Sequence, residues 1–161
     1  GLEAGMGVII LSTLGYFALA NSKLSAMMLA ICMVSALIAF LYFNWYPAKI
    51  FPGDTMTYSV GALAACIAIV GDMEKVAVLL FLPYFLDFII QAAGGFRREA
   101  FAKVNEDSSL DKPYKRLYHL THLAIVVLKP LRGKVYERDV VLSCCGIEMA
   151  LAGLCIYIYL Q

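Results

Sequence analysis

Charge is what this sequence has least of. Only 16% of its 161 residues are Asp, Glu, Lys or Arg, against 62% hydrophobic residues and a mean hydropathy of +0.79. In soluble globular domains about a quarter of residues are charged, so that class is excluded. The apolar stretches also lack the apolar–polar alternation over about ten residues that a membrane barrel strand requires, which leaves helices. Cysteine spacing is missing too. Cys32, Cys66, Cys144, Cys145 and Cys155 all fall in apolar stretches without a CxxC pair, which excludes a zinc site or a disulfide frame and makes them packing residues. The first apolar run has neither a basic segment before it nor a small-residue cleavage pattern, so a signal peptide is not expected. Because the chain opens on Gly1 instead of methionine, truncation of a longer protein is expected. No internal repeat is apparent, and nucleic acid is not expected as a partner.

Five apolar runs approach the roughly 20 residues needed to cross a bilayer. They are Gly5 to Ala20, Leu24 to Phe43, Met56 to Val70, Val76 to Ala93 and Val140 to Leu160, the first and third being short. The expected fold is therefore all-α: a polytopic membrane helical bundle with about five transmembrane helices. Small residues such as Gly15, Ala26, Ala30, Gly61 and Ala64 permit close helix packing in lipid. If the helices alternate in direction, the loops 44–54 and 94–138 share one side, and that side carries eleven of the thirteen Lys and Arg residues. The excess marks it as cytoplasmic, with Gly1 inside and Gln161 outside. Leu117 to Leu128 falls below the roughly 17-residue minimum for a span. It is expected as a cytoplasmic interfacial helix, beside Lys112, Lys115 and Arg116, whose charges suit anionic head groups. The polar stretch from Phe96 to Tyr114 reads as a solvent loop, either a connector or a lid over a bound ligand.

The loop from Asn44 to Thr55 concentrates the chemistry. Asn44 supplies an amide, Pro47 and Pro52 stiffen the chain, and Gly53 allows a tight turn before the next helix. Asp54 sits at that helix start, where two roles are open to it: an N-cap, or a ligand for a hard cation such as Mg2+, which is usually held by one or two carboxylates plus substrate phosphates. Phe51 is either an ordinary interfacial aromatic or a ring face for a flat base.

With the opening Gly1-Leu2-Glu3-Ala4-Gly5 and the later Val135-Tyr136-Glu137-Arg138, this loop resembles the polyprenyl-phosphate N-acetylhexosamine-1-phosphate transferases. That family includes the eukaryotic and archaeal enzymes that move GlcNAc-1-phosphate from UDP-GlcNAc to dolichyl phosphate and, more distantly, the bacterial phospho-MurNAc-pentapeptide translocase. The likeness runs over essentially the whole chain, residues 1–161, as the C-terminal half of a roughly ten-helix enzyme. It is most specific at Phe51-Pro52-Gly53-Asp54-Thr55. The resemblance implies that Asp54 is the catalytic metal ligand for Mg2+, with Mn2+ as a substitute, that Phe51 and Asn44 contact the uracil, and that Glu3 lines the nucleotide pocket. It further implies UDP-GlcNAc and a polyprenyl or dolichyl phosphate as substrates and release of UMP. Membrane lipid and a second copy in a homodimer are the other implied partners. The setting is the cell membrane of an archaeal-type organism or the endoplasmic reticulum membrane, with the active-site loops cytoplasmic. Other family metal ligands have no counterpart here, so the isolated chain is expected to be inactive unless the missing N-terminal half is supplied.

Arg97 and Arg98 follow the fourth run in a Gly94-Gly95-Phe96-Arg97-Arg98 turn. They are either a positive-inside anchor or a bidentate grip on a diphosphate. The histidine-containing loop of other family members is not reproduced there. His119 and His122, spaced i and i+3, would share a helix face; with no third ligand at matching spacing they are expected to be packing or interfacial residues. Asp87 and Glu148 lie inside predicted spans, where ionisable groups mark function by default. For Asp87 the choices are a part in the substrate pocket or a salt bridge to Arg97 or Arg98, while Glu148 suggests an interhelical polar contact. A noncatalytic membrane subunit or transporter, with a polar path at Asp87 and Glu148, is the alternative to the transferase.

Overall fold

A computed structural model describes residues 1–95, 102–105, 107–111 and 118–159. The chain divides into two compact units: Gly1–Phe81 with the segment from Ile147, and Leu82–Gly146.

In the first unit α1 (Leu2–Ala20) is apolar on every side, as suits a helix surrounded by others. Leu11, Leu14, Ala4 and Ala18 are fully buried along it. α2 (Leu24–Asn44) returns antiparallel against α1. Two glycines set how closely they pack: a Cβ added at Gly7 would meet Leu37 at 3.2 Å, and one at Gly15 would meet the Ala30 Cβ at 3.0 Å. Van der Waals packing of this kind, not water exclusion, holds helices together in lipid. α3 (Asp54–Val70) buries Ala64 and Ile67 against this pair, and α4 (Glu74–Leu80) adds Val76 and Leu80. The last helix, α7 (Glu137–Tyr159), contributes Ala152 and Cys155 to the same core, and Tyr159 meets Phe17 edge to face at 6.4 Å.

The α1–α2 and α3–α4 turns are built alike. After α1, Ser22 takes a left-handed φ of 57°, its N–H donates to the Leu19 carbonyl at 3.0 Å, and Lys23 N–H reaches Ala18 at 2.7 Å. After α3, Asp72 has φ 54°, with Asp72 N–H to Ile69 at 3.3 Å and Met73 N–H to Ala68 at 2.9 Å. Both are Schellman caps in which a residue with a Cβ stands where glycine is usual. Lys23 and Asp72 form an ion pair that joins the two turns. Ser22→Gly is therefore expected to stabilise the fold by about 1 kcal/mol, the cost of left-handed backbone at a residue with a Cβ. Asp72→Gly should yield less, because it also removes the ion pair; an unfolding titration of both variants in mild detergent, showing no gain for Ser22→Gly, would refute this.

α5 (Leu82–Ala93) belongs to the second unit. The expected fourth run from Val76 is thus divided at Phe81, two residues before Pro83, whose missing N–H is tolerated only in a first helical turn. Three described helices, α1, α2 and α7, are long and apolar enough to span a bilayer, and a fourth span is reached only by counting α4 and α5 together. At 17 residues α3 is a shorter apolar helix, so the count of five holds only if it is included.

Between Phe96 and Tyr114, where the sequence suggested a solvent loop, Lys103–Val104 (β1) and Leu110–Asp111 (β2) form a two-stranded antiparallel ribbon. Such a ribbon has too few residues for a detectable alternation. Beside it lies a shallow cavity of about 570 Å³ lined by Asn105, Asp107, Asp111, Lys129 and Lys134 among others. The ribbon's turn is closed by polar contacts. Asp107 accepts from Lys134 Nζ at 2.6 Å, from Ser109 Oγ at 2.6 Å and from Ser109 N–H at 3.1 Å. These hold its carboxyl well below the usual carboxylate range, Lys134 first and Ser109 second, while Asp107 in turn raises Lys134 above its ordinary value of 10.5. A depressed carboxyl contributes stability above its unfolded pKa and loses it as pH falls through the folded value; a raised amine loses its contribution as pH rises through its folded value. The Ser109 amide is accordingly expected to stay protected from hydrogen exchange through neutral pH. Protection should fail only in acid below the normal 3.8 of an aspartate or in alkali above 10.5. Loss near neutrality would show that the turn is held by something else.

α6 (Leu120–Arg132) follows, placed three residues later than the sequence suggested at its start, and ends at Gly133 with φ 72°. His122 and Ile125 are its buried residues.

Candidate functional site

Three helix ends of the first unit meet: the start of α1 with Glu3, the end of α2 with Asn44 and the start of α3 with Asp54. The join is made by backbone and amide hydrogen bonds. The Gly1 nitrogen donates to the Asn44 carbonyl at 3.1 Å, and Asn44 Nδ2 donates to the Ile50 carbonyl at 2.7 Å. Lys49 N–H bonds to the Phe43 carbonyl at 2.9 Å. A Cβ on Gly1 would meet the Trp45 ring at 3.1 Å, so the glycine is what lets α1 begin against that indole.

Asn44 was expected in the loop as a ligand contact. It is instead the last residue of α2, only 1% exposed, and its amide nitrogen is engaged in tying the loop. Its Oδ1 is buried without a hydrogen-bond partner among the described residues. The sequence reading missed this structural role.

Asp54 is the first residue of α3, and the N-cap is Gly53, which makes no side-chain cap bond. The N-cap role considered for Asp54 is therefore not the one it takes. Its side chain is exposed, and among the described residues the carboxylate enters no hydrogen bond or ion pair. Gly53 is extended, with φ −94° and ψ 175°, so its backbone does not require glycine. What glycine leaves is room: a Cβ there would meet nothing within 4 Å. That leaves the start of α3, at the positive end of the helix dipole, uncovered on the Gly53 side, where phosphate oxygens would be favoured.

Phe51 projects from the loop with 78% of its surface exposed. Glu3 is exposed on α1, and its carboxylate lies close enough to Asp54 for the two charges to repel. Four of the residues singled out from sequence, Glu3, Asn44, Phe51 and Asp54, are thus at one end of one unit. Arg97 and Arg98 lie outside the described residues.

The two intramembrane carboxylates behave differently. Asp87 Oδ1 accepts the Leu120 N–H at 2.5 Å, and its other oxygen accepts from Gln91 and faces His119 Nδ1 at 3.5 Å. Asp87 therefore caps α6 from outside it; the arginines of the expected bridge, Arg97 and Arg98, lie outside the described residues. His119 precedes α6 in extended conformation, so the two histidines do not share a helix face. Their rings meet edge to face at 5.4 Å and both are buried, in keeping with packing. Glu148 is fully buried, and neither oxygen has a hydrogen-bond partner among the described residues.

Long apolar helices define an integral membrane protein. The comparisons with known proteins are more specific. Residues 1–72 match glycosyl transferase family 4. The chain is 39% identical over 147 residues to a Saccharolobus solfataricus protein named as a UDP-N-acetylglucosamine--dolichyl-phosphate N-acetylglucosaminephosphotransferase, covering 88% of this chain and 44% of that protein. It is 36% identical over 157 residues to a Sulfolobus acidocaldarius protein of the same name, with 94% and 45% covered. A Dictyostelium discoideum enzyme with that name is 38% identical over 69 residues, 43% of this chain and 17% of its own length. The chain spans a little under half the length of the two archaeal relatives.

Proposed function

We propose that this chain is the C-terminal half of a transferase that moves GlcNAc-1-phosphate from UDP-GlcNAc to a polyprenyl or dolichyl phosphate. The observation that carries the reading is the meeting of Glu3, Phe51 and the unpaired Asp54 at the uncovered start of α3, inside the segment that matches the family. The lipid phosphate oxygen attacks the phosphorus that bears the sugar, and the bond from that phosphorus to the bridging oxygen breaks. UMP leaves with the electron pair. Both reactants are anions, so positioning and charge stabilisation do most of the work.

Each residue has a part suited to its surroundings. The α3 N–H groups receive phosphate oxygens, and the Phe51 ring offers a face to the uracil. Asn44, buried with its Nδ2 bonded to the Ile50 carbonyl, holds in place the loop that carries Phe51. Mg2+ or Mn2+ would be held by Asp54, with Glu3 adding negative field. Among the described residues no group of three or more His, Cys, Asp or Glu could hold a metal. Such a cation would be bound by one carboxylate together with substrate phosphates and water. When bound, such an ion neutralises the diphosphate. Arg97 and Arg98 are assigned to the same diphosphate, and further ligands to the part of the relatives that this chain does not span. Loops on this side are cytoplasmic by their Lys and Arg content, in a cell membrane or the endoplasmic reticulum membrane. A transporter-like path is disfavoured because the Asp87 carboxylate is already engaged.

The test is UMP release from UDP-GlcNAc by a protein of the relatives' full length that contains this chain. Release that requires both a polyprenyl phosphate and a divalent cation is expected. UMP release independent of the lipid phosphate, or none at all, would remove the reading.

A further inference from the structure

One face of α6 is exposed. Leu123, Val126, Val127 and Leu131 are 38%, 40%, 55% and 77% exposed, and Pro130 is exposed among them. At about 100° per residue they occupy one side of the helix, while the buried His122 and Ile125 point the other way. The basic residues of α6 are off this stripe: Lys129 pairs with Asp111 and Arg132 with Asp139. In the same unit α5, which packs against α6, exposes Phe85, Phe88 and Ile89. That is the surface expected of a segment in lipid.

We infer that α6 lies on the bilayer with Leu123, Val126, Val127 and Leu131 in the acyl boundary, held there by the apolar contact of this stripe. A lone amphipathic helix with a stripe this short would bind a membrane weakly, but the spanning helices of the same chain keep its local lipid concentration high. A second copy fits the face poorly: the stripe offers on the order of a few hundred Å², well under the roughly 800 Å² per partner of a stable interface. The expectation of anionic head-group contacts rested on Lys112, Lys115 and Arg116, which lie outside the described residues; the described basic side chains of α6 are paired internally.

Tryptophan fluorescence tests this in the full 161-residue chain. Leu131→Trp and, separately, Val127→Trp are made in a Trp45→Phe background and reconstituted in phosphatidylcholine vesicles without anionic lipid. Brominated lipid should quench each probe about twofold or more, and aqueous iodide should leave it nearly untouched, as for a side chain at the acyl boundary. Iodide quenching without lipid quenching would overturn the inference in favour of a solvent-facing helix. Protection from both quenchers would overturn it in favour of a protein partner. Protection that appears only after phosphatidylglycerol is added would overturn the apolar mode.

Discussion

Asp54→Asn in the full-length protein is expected to lower UMP release by about a hundredfold or more, the scale on which removing a charge stabiliser acts. The side chains are nearly the same size, and Asp54 makes no side-chain contact among the described residues that the amide would break. Folding should therefore be unchanged, and the loss should be in turnover. An amide keeps one neutral oxygen as a weak ligand, so raising the divalent cation concentration should recover part of the rate. Glu3→Gln is the comparison. Removing its charge relieves repulsion at Asp54 and should change cation affinity more than turnover. If Asp54→Asn retains full activity across cation concentrations, Asp54 is only the first residue of α3.

Gly15→Leu should be the most damaging change far from the site. A Cβ at Gly15 stands 3.0 Å from the Ala30 Cβ, and neither atom is the end of a flexible chain that could swing aside. The helices must separate, and with them the contacts along α1 and α2. A loss of about 3 kcal/mol is expected, the upper part of the usual range for overpacking. A thermal melt in detergent reads it directly. The paired change Gly15→Ala with Ala30→Gly moves one methyl across the interface and should cost far less than Gly15→Leu. Equal damage from both would locate the defect in the backbone of α1, and an unchanged melt for Gly15→Leu would mean that α1 and α2 do not pack this closely.

The helices were legible because apolar length is written directly in composition: α1 and α2 occupy the first two apolar runs nearly end to end. The site was half legible. Asp54 and Phe51 stand where their loop predicted, since a polar segment between two apolar runs has nowhere to go but the helix ends. Asn44 was not, because an amide that ties its own loop and one that awaits a ligand have the same letter, and only the Ile50 carbonyl 2.7 Å away separates them. The cap on α6 was hidden for a different reason. Asp87 and Leu120 are 33 residues apart, and nothing local in either segment announces the bond. The ribbon at 103–111 was missed because two residues per strand carry no periodicity.

The paired turns at Ser22 and Asp72 have a mechanical meaning for the opposite end of the unit. Joined through Lys23 and Asp72, they fix one end of α1, α2 and α3, while the other end holds Glu3, Asn44 and Asp54. A helix of 19 or 21 residues is a lever roughly 30 Å long, so one degree of play at the fixed turn displaces the far tip by about 0.5 Å. That is about the tolerance within which a catalytic constellation must be held. Accuracy at the proposed site is accordingly decided in large part at a fulcrum at the other end of the helices.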